Sequence, residues 1–390
     1  MVTWIDILLA SILARRLGDA GIGIELWDGS RIEDAASSSR LVFRSRPALL
    51  AVLTRPALQF GEQYTCGGID MEGDLADALA AVFASMPPRH ESRLSRAIRR
   101  RSVSIDAMRA YRNVHHHYDL GLEFYRLWLD EQMVYTCGYF ATPEVTLEQA
   151  QLAKMDHVCR KLRLQPGETV IEAGCGWGAL AMHMAEHYGA RVRAYNISTQ
   201  QVEFARARAA ERGLGNRVEF VAADYREITG SCDAFVCIGM LEHVGPRHYR
   251  ELGRVIRQVT SPRGRGLLHS IGRISPQPTD PWLRRRIFPD GYAPSLAEMS
   301  RVFEPSGLTI VDIENLRPHY ERTLQHWLAR FEEAAPRIRE TFDERFVRTW
   351  RLYLASCIGA FRVGTMQLFQ ILFTCSPASS LPWTRADLYR

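Results

Sequence analysis

From residue 165 onward this 390-residue chain changes hydrophobic period repeatedly, and few folds accommodate that. Five short apolar runs, ETVIEAG, RVRAYNIS, RVEFVAA, CDAFVCIG and GRGLLHSIG, have the length and composition of buried strands. Between most of them lie stretches with helical spacing, such as WGALAMHMAEHY and TQQVEFARARAAERG. Such alternation argues for a doubly wound, mostly parallel α/β sheet with helices on both faces. The first strand-to-helix turn is IEAGCGWGAL, residues 171–180, with Gly174, Gly176 and Gly178. Glycine serves where the backbone bends sharply and meets a ligand with no side chain between them. In an open α/β sheet this turn lies at the carboxyl ends of the strands, where ligands bind.

The chain is longer than one core sustains, since single cores stop growing near about 250–300 residues. Residues 1–86 read as a small α+β domain, with strand-like GIGIELWDG and SRLVFRSR ahead of a helical DLADALAAVFASM. Residues 87–110 read as a basic linker, with Arg89, Arg93, Arg96, Arg99, Arg100 and Arg101 close together, and 111–390 as the catalytic domain. The linker suits a solvated face or a strip against an anionic membrane surface. At the N-terminus Ile5, Leu8, Leu9, Ile12 and Leu13 fall at helical spacing, as in an amphipathic docking helix. That run is shorter than the ~20 residues that cross a bilayer, and Asp6 interrupts it, so it is neither a span nor a secretory signal. The last sixty residues read as helical.

The net charge of +5 is too weak to make a nucleic-acid binder. Its makeup is lopsided: 47 arginines against two lysines, Lys154 and Lys161, which reads as genomic codon bias. Eight cysteines without metal-ligand spacing suit reduced, cytoplasmic protein, with Cys232 and Cys237 as core thiols. The run His115-His116-His117 is a poor metal site, because adjacent residues rarely converge on one ion.

The glycine spacing is not the G-x-G-x-x-G of dinucleotide folds, and no P-loop lysine follows. It suits a nucleoside carried without pyrophosphate, S-adenosylmethionine, with a dinucleotide left open. The second strand ends in Asn196, with Gln201 nearby, and either amide can bond a ribose or a carboxylate. After the third strand Asp224 can accept from an adenine amino group and Tyr225 can stack on the ring. Glu242 and His269 fall at the ends of the fourth and fifth strands, two titratable groups over one crevice.

Several separated motifs together resemble the cyclopropane-fatty-acyl-phospholipid synthases and their mycolic-acid relatives, a family dependent on S-adenosylmethionine. They are HYDLGLEFYRLWLDEQMVYTCGYF (117–140), EAGCGWG, DYREI, MLEHVG, LLHSIG, HYERTLQHW (319–327) and SCIGAFRVGTMQLFQ (356–370). The resemblance covers about residues 110–375. Residues 1–100 resemble the family's N-terminal lipid-handling domain much more loosely. It implies a Rossmann-like methyltransferase sheet with helical additions. It also implies methylene transfer to a cis double bond of an unsaturated phospholipid acyl chain, through a carbocation in a dry tunnel.

The resemblance further implies a bound bicarbonate as base, held at Cys137, Glu242, His269, Ile271 through its backbone, and Tyr320. His269, neutral or cationic, and the Tyr320 hydroxyl can donate to an anion, and Glu242 can accept its proton. The family's cysteine at the position of Cys357 is linked to the site, although a thiol on an apolar helix also reads as inert. Cofactor contacts carried over are Tyr135, Thr136, Gly174, Gly176, Asn196, Ile197, Gln201, Tyr225 and Arg226. Departures from the family pattern are Thr136 for serine, Asn196 for threonine, Leu241 for phenylalanine, and no asparagine after Gly121.

Rival readings are a methyltransferase giving methylene- or methyl-branched chains, one acting on a small soluble acceptor, and a non-catalytic lipid-binding protein. The resemblance also implies a location at the inner face of the membrane and a homodimer.

Overall fold

The computed structural model describes residues 1–32, 37–86, 120–376 and 383–389. The linker 87–110, its arginine strip and His115–His117 lie outside the described residues. Along the chain come α1 (Trp4–Leu17), β1 (Ile22–Glu25), β2 (Arg31–Ile32) and β3 (Ser39–Phe43). Next are α2 (Arg46–Thr54), α3 (Pro56–Thr65), β4 (Ile69–Glu72) and α4 (Leu75–Ser85). The middle of the chain supplies α5 (Leu122–Arg126), α6 (Leu147–Leu162), β5 (Thr169–Ala173), α7 (Ala179–His187) and β6 (Arg191–Asn196). It continues with α8 (Thr199–Glu211), β7 (Val218–Ala222), β8 (Cys232–Ile238), α9 (Leu241–Val244), α10 (Tyr249–Val259) and β9 (Thr260–Arg273). Last come α11 (Pro281–Arg286), α12 (Leu296–Phe303), β10 (Thr309–Asn315), α13 (Arg317–Thr341), α14 (Glu344–Arg362) and β11 (Met366–Thr374).

These elements form two compact units. One takes its described residues from Met1–His90, Thr279–Pro289 and Glu321–Met366, the other from Glu91–Pro278, Asp290–Tyr320 and Gln367–Arg390. Chain order and compactness therefore part company after residue 278.

The first unit holds a mixed four-stranded sheet, β2-β1-β3-β4. Helix α14 reaches it because Gly359 brings its backbone against α4, where an added Cβ would lie 2.9 Å from the Ala80 nitrogen. Arg348 on α14 donates to the Ile69 carbonyl and to Asp70 Oδ1, both at 2.7 Å. Gly61 of α3 likewise lets the Trp282 ring of α11 pack directly on its backbone. Asp6 is an inward anchor: it is buried, caps α1 through Thr3, and takes two bonds from Arg46 at 2.5 and 2.6 Å. The α1 face therefore differs from the sequence reading. Leu13 is buried and Leu9 half-buried, while Trp4, Ile5, Ile7, Leu8 and Ile12 are exposed.

The second unit is built on a seven-stranded sheet ordered β10-β11-β9-β8-β5-β6-β7. All pairings from β9 through β8, β5 and β6 to β7 are parallel, and the five strands expected from sequence are all present. The order reverses between β5 and β8, the point at which open α/β sheets bind ligands. The C-terminus corrects the helical reading. Gly364, at φ 78°, stops the chain shortly after α14, and Met366–Thr374 continues as a strand paired antiparallel to β10. Leu368, Gln370, Ile371, Phe373 and Thr374 are the buried residues of that strand.

Gly178 illustrates how local geometry fixes the turn after β5. Its φ is 86°, and an added Cβ would sit 2.7 Å from the Phe220 ring and 2.8 Å from Ala205. Gly178→Ala should lower stability by about 2 kcal/mol or more through strain and overpacking. Gly215→Ala, at ordinary φ in open space, should change the urea midpoint little. Equal midpoints for the two variants would contradict this account.

Candidate active site

The glycine turn joins β5 to α7, and its three glycines are needed for different reasons. Gly174 and Cys175 donate to the Tyr195 carbonyl, at 2.8 and 3.1 Å, which folds the turn onto the end of β6. A Cβ on Gly174 would meet Met240, and one on Gly178 would meet Phe220, so packing demands both. Gly176 has φ 53° and nothing within 4 Å of an added Cβ. Among the described residues it therefore has room about it, as a ligand cradle requires. Beside the turn, Trp177 packs on Tyr125 (5.0 Å between ring centres), and Tyr125 on Tyr135 (5.5 Å). The aromatic cluster thus brings the 134–137 segment to the glycine turn.

At the end of β6, Asn196 and Gln201 bond each other: Asn196 Nδ2 donates to Gln201 Oε1 at 2.8 Å and to the Gly176 carbonyl at 3.2 Å. Ile197 follows directly, before α8. After β7, Asp224 caps the turn by accepting from the Arg226 nitrogen at 2.9 Å, and from the Arg226 guanidinium at 3.0 Å. The Arg226 guanidinium lies over the Tyr225 ring at 4.6 Å, and among the described residues the buried Tyr225 hydroxyl has no partner. Asp224 is thus already engaged, which limits what it can offer an adenine.

Glu242 sits on α9, immediately after β8. Its Oε1 accepts from the Ile271 N–H at 2.7 Å, whereas the buried Oε2 has no partner among the described residues. Of the Ile271 backbone groups, the N–H is therefore committed to Glu242. Burial pushes the Glu242 carboxyl up to about 7. One strand over, His269 pairs in register with Ile238 of β8 and is buried. Burial drives its imidazole down to about 3, so it is neutral; the cationic form considered from sequence is excluded at neutral pH. Cys137 is fully buried and its thiol points to the Gly138 carbonyl at 3.1 Å. Tyr320 lies in the first turn of α13 and is buried. Cys357 belongs to the other compact unit, on α14, with its thiol raised to about 12 by burial. A thiol that weakly acidic carries no thiolate at neutral pH.

Comparison with known proteins agrees with this architecture. Residues 105–371 match the family described as mycolic acid cyclopropane synthetase. The chain belongs to that family. A probable fatty acid methyltransferase of Pseudomonas putida is 35% identical over 94% of this chain and 96% of its own length. The cyclopropane-fatty-acyl-phospholipid synthase of Escherichia coli K12 is 36% identical over 83% of this chain and 84% of its own. Among solved structures, a mycolic acid cyclopropane synthase complexed with SAH and CTAB superposes with TM-score 0.64 at 29% identity, covering 68% of this chain and 98% of that one.

This cyclopropane synthase family member is an S-adenosylmethionine-dependent methyltransferase. The residues present fit that cofactor: Gly176 has room about it, and among the described residues two buried polar atoms, Glu172 Oε2 on β5 and the Tyr225 hydroxyl after β7, have no partner. Unpartnered buried polar atoms are rare and mark places where a ligand completes the bonding.

Glu172 escaped the sequence reading because it sits inside a strand, two residues before Gly174. A second unread feature is the buried polar face of α6, with Gln151, Lys154, His157 and Lys161 at three- and four-residue spacing. Gln151 donates to the Thr136 carbonyl at 2.8 Å and Lys154 to the Thr136 hydroxyl at 3.1 Å. The signal available was this periodic row of polar residues at core positions.

Burial raises Glu172 to about 7 and lowers Lys154 to about 8, and each charge partly supports the other. In Lys154→Met the folded Glu172 should hold its proton to higher pH than in the wild type. Stability falls with pH wherever the folded state binds more protons, so the variant should lose stability between about pH 7 and 9. Wild type should gain stability above pH 8, where folded Lys154 has released a proton that the unfolded chain still holds. Parallel urea midpoints across this range would refute the pairing.

Proposed function

We propose that this enzyme is a cyclopropane-fatty-acyl-phospholipid synthase, adding a methylene to the cis double bond of an unsaturated phospholipid acyl chain. The observation that carries the reading is Glu242, just after β8: one oxygen is fixed by the Ile271 N–H, and the other is buried with no partner among the described residues. When bound, S-adenosylmethionine supplies an electrophilic methyl on a sulfonium. A bound bicarbonate would supply an anionic base. In the reaction the alkene π pair would take the methyl as the methyl–sulfur bond breaks and its electron pair stays on sulfur, leaving a carbocation on the chain. Loss of a proton from the transferred methyl then closes the ring.

The chain's own residues have separable tasks. Gly174 and Gly176 let backbone approach the cofactor, with Tyr135, Thr136, Asn196, Ile197, Gln201, Asp224, Tyr225 and Arg226 around it. Buried His269, the Tyr320 hydroxyl and the Cys137 thiol offer weakly acidic donors to an anion. Glu242 Oε2 receives the proton at the end of its path. Burial of these groups excludes water, which would trap a cation.

A second reading, in which proton loss elsewhere gives a methylene- or methyl-branched chain, is favoured by the Pseudomonas putida relative named a probable fatty acid methyltransferase. A non-catalytic lipid-binding protein would have no need for the retained glycine turn, Glu242 or His269.

No helix among the described residues is long and apolar enough to cross a membrane. The exposed apolar face of α1, followed by Arg15 and Arg16, suits a cytoplasmic enzyme resting on the inner, anionic leaflet. Leu8→Glu combined with Ile12→Glu should markedly reduce co-sedimentation with phosphatidylglycerol vesicles. Unchanged co-sedimentation would remove α1 from membrane contact.

Glu242→Gln should cut turnover by about 100-fold or more while leaving S-adenosylmethionine affinity nearly intact by calorimetry. Because the ionised carboxylate is the active form, wild-type turnover should fall as pH drops below about 7. Equal loss of binding and turnover would make Glu242 a cofactor ligand instead. Turnover indifferent to bicarbonate in depleted buffer would remove the anion from the reading.

A further inference from the structure

The chain carries 47 arginines and two lysines, and both lysines are buried on α6, seven residues apart. Codon bias explains the arginines but not where lysine survives. A guanidinium is a broad planar fork, whereas an ammonium is a compact donor that fits a closed pocket. Lys161 occupies such a pocket. Its Nζ lies 2.5 Å from Glu314 Oε2 and 2.9 Å from Gln370 Oε1. Glu314 also bonds His157 Nε2 at 2.8 Å. Burial opposes its charge, but the bonds from His157 and Lys161 hold the carboxyl down at about 2. Lys161 therefore meets a fixed anion on one side and a side-chain amide on the other.

We propose that Lys161, acting through the Gln370 amide, fixes the tautomer of His269 so that its proton sits on Nε2. An ammonium has three donors and no acceptor, so the Gln370 oxygen must face Lys161. The Gln370 NH2 group then faces His269 Nδ1, at 3.0 Å. An amide NH2 only donates, which makes Nδ1 an acceptor without a proton. A neutral imidazole carries one N–H, and it is left at Nε2. Among the described residues nothing bonds Nε2. A second proton on Nδ1 would set donor against donor. His269 thus presents a hydrogen-bond donor, which suits holding an anion and leaves proton acceptance to Glu242.

This assignment rests on the reading of His269 as a donor in the proposed reaction, and Lys161 and Gln370 are positioning residues. The test is long-range 1H–15N NMR of the full chain labelled with 15N-histidine at neutral pH, with His269→Asn identifying the resonances. Wild type should show protonated Nε2 and bare Nδ1. Lys161→Gln frees the Gln370 amide to turn over and should give a mixture of the two tautomers. Gln370→Glu, nearly isosteric, presents an acceptor to Nδ1 and should move the proton there. Its turnover should fall about tenfold or more, with S-adenosylmethionine affinity unchanged. A protonated Nδ1 in wild type, or a bare Nδ1 retained in Gln370→Glu, would overturn the proposal. A proton moved to Nδ1 with turnover unchanged would leave the tautomer control standing and remove the donor role of His269.

Discussion

Helix α6 carries four polar side chains into the interior of the second unit, and each must find a partner there. Leaving a buried donor or acceptor unmade costs about 1–3 kcal/mol, and more for a charge. The Gln151 amide NH2 group and Lys154 meet this demand at Thr136, and His157 and Lys161 meet it at Glu314 and Gln370; Gln151 Oε1 has no partner among the described residues. The helix therefore ties the 134–136 segment to the β10–β11 edge of the sheet. Neither can drift without breaking bonds that water is not present to replace. The positions of Thr136, His269 and the strands around them follow from that requirement.

The same interior sorts chemically identical groups into different tasks. Glu242 and Glu314 are both largely buried glutamates. Glu314 is gripped by Lys161 and His157 and stays ionised as a fixed charge. Glu242 accepts from the Ile271 N–H, and burial leaves its carboxyl titrating near neutrality, poised to gain or lose a proton. Partners, not residue type, make one a fixed anion and leave the other able to titrate near neutral pH. Divergent carboxyl environments of this kind separate acid–base roles elsewhere in enzymes.

Much of this was legible in the amino-acid sequence, and the rest was hidden for identifiable reasons. Strands of a parallel sheet are buried on both faces, so β5 to β9 stand out as continuous apolar runs. Turn glycines are equally visible, because few other residues tolerate positive φ. β11 was missed because MQLFQILF follows a long apolar helix without a break in hydrophobicity, and only Gly364 separates them. Glu172 lies inside a strand run and looks like part of it. The pairing of Ile271 N–H with Glu242 cannot be read from spacing, since it depends on how the ends of two strands curl together. Lysine scarcity was visible from the start, but its meaning was not: the two lysines lie where compact donors are needed under the site.

The central claim concerns where the transferred carbon finishes and what it loses. Purified enzyme given S-adenosylmethionine labelled with 13C at the methyl, and vesicles of cis-unsaturated phospholipid, yields a lipid whose label NMR can assign. The account predicts an upfield ring methylene, the labelled carbon bonded to both former alkene carbons and holding two protons. A labelled methyl branch or an exomethylene carbon would contradict it.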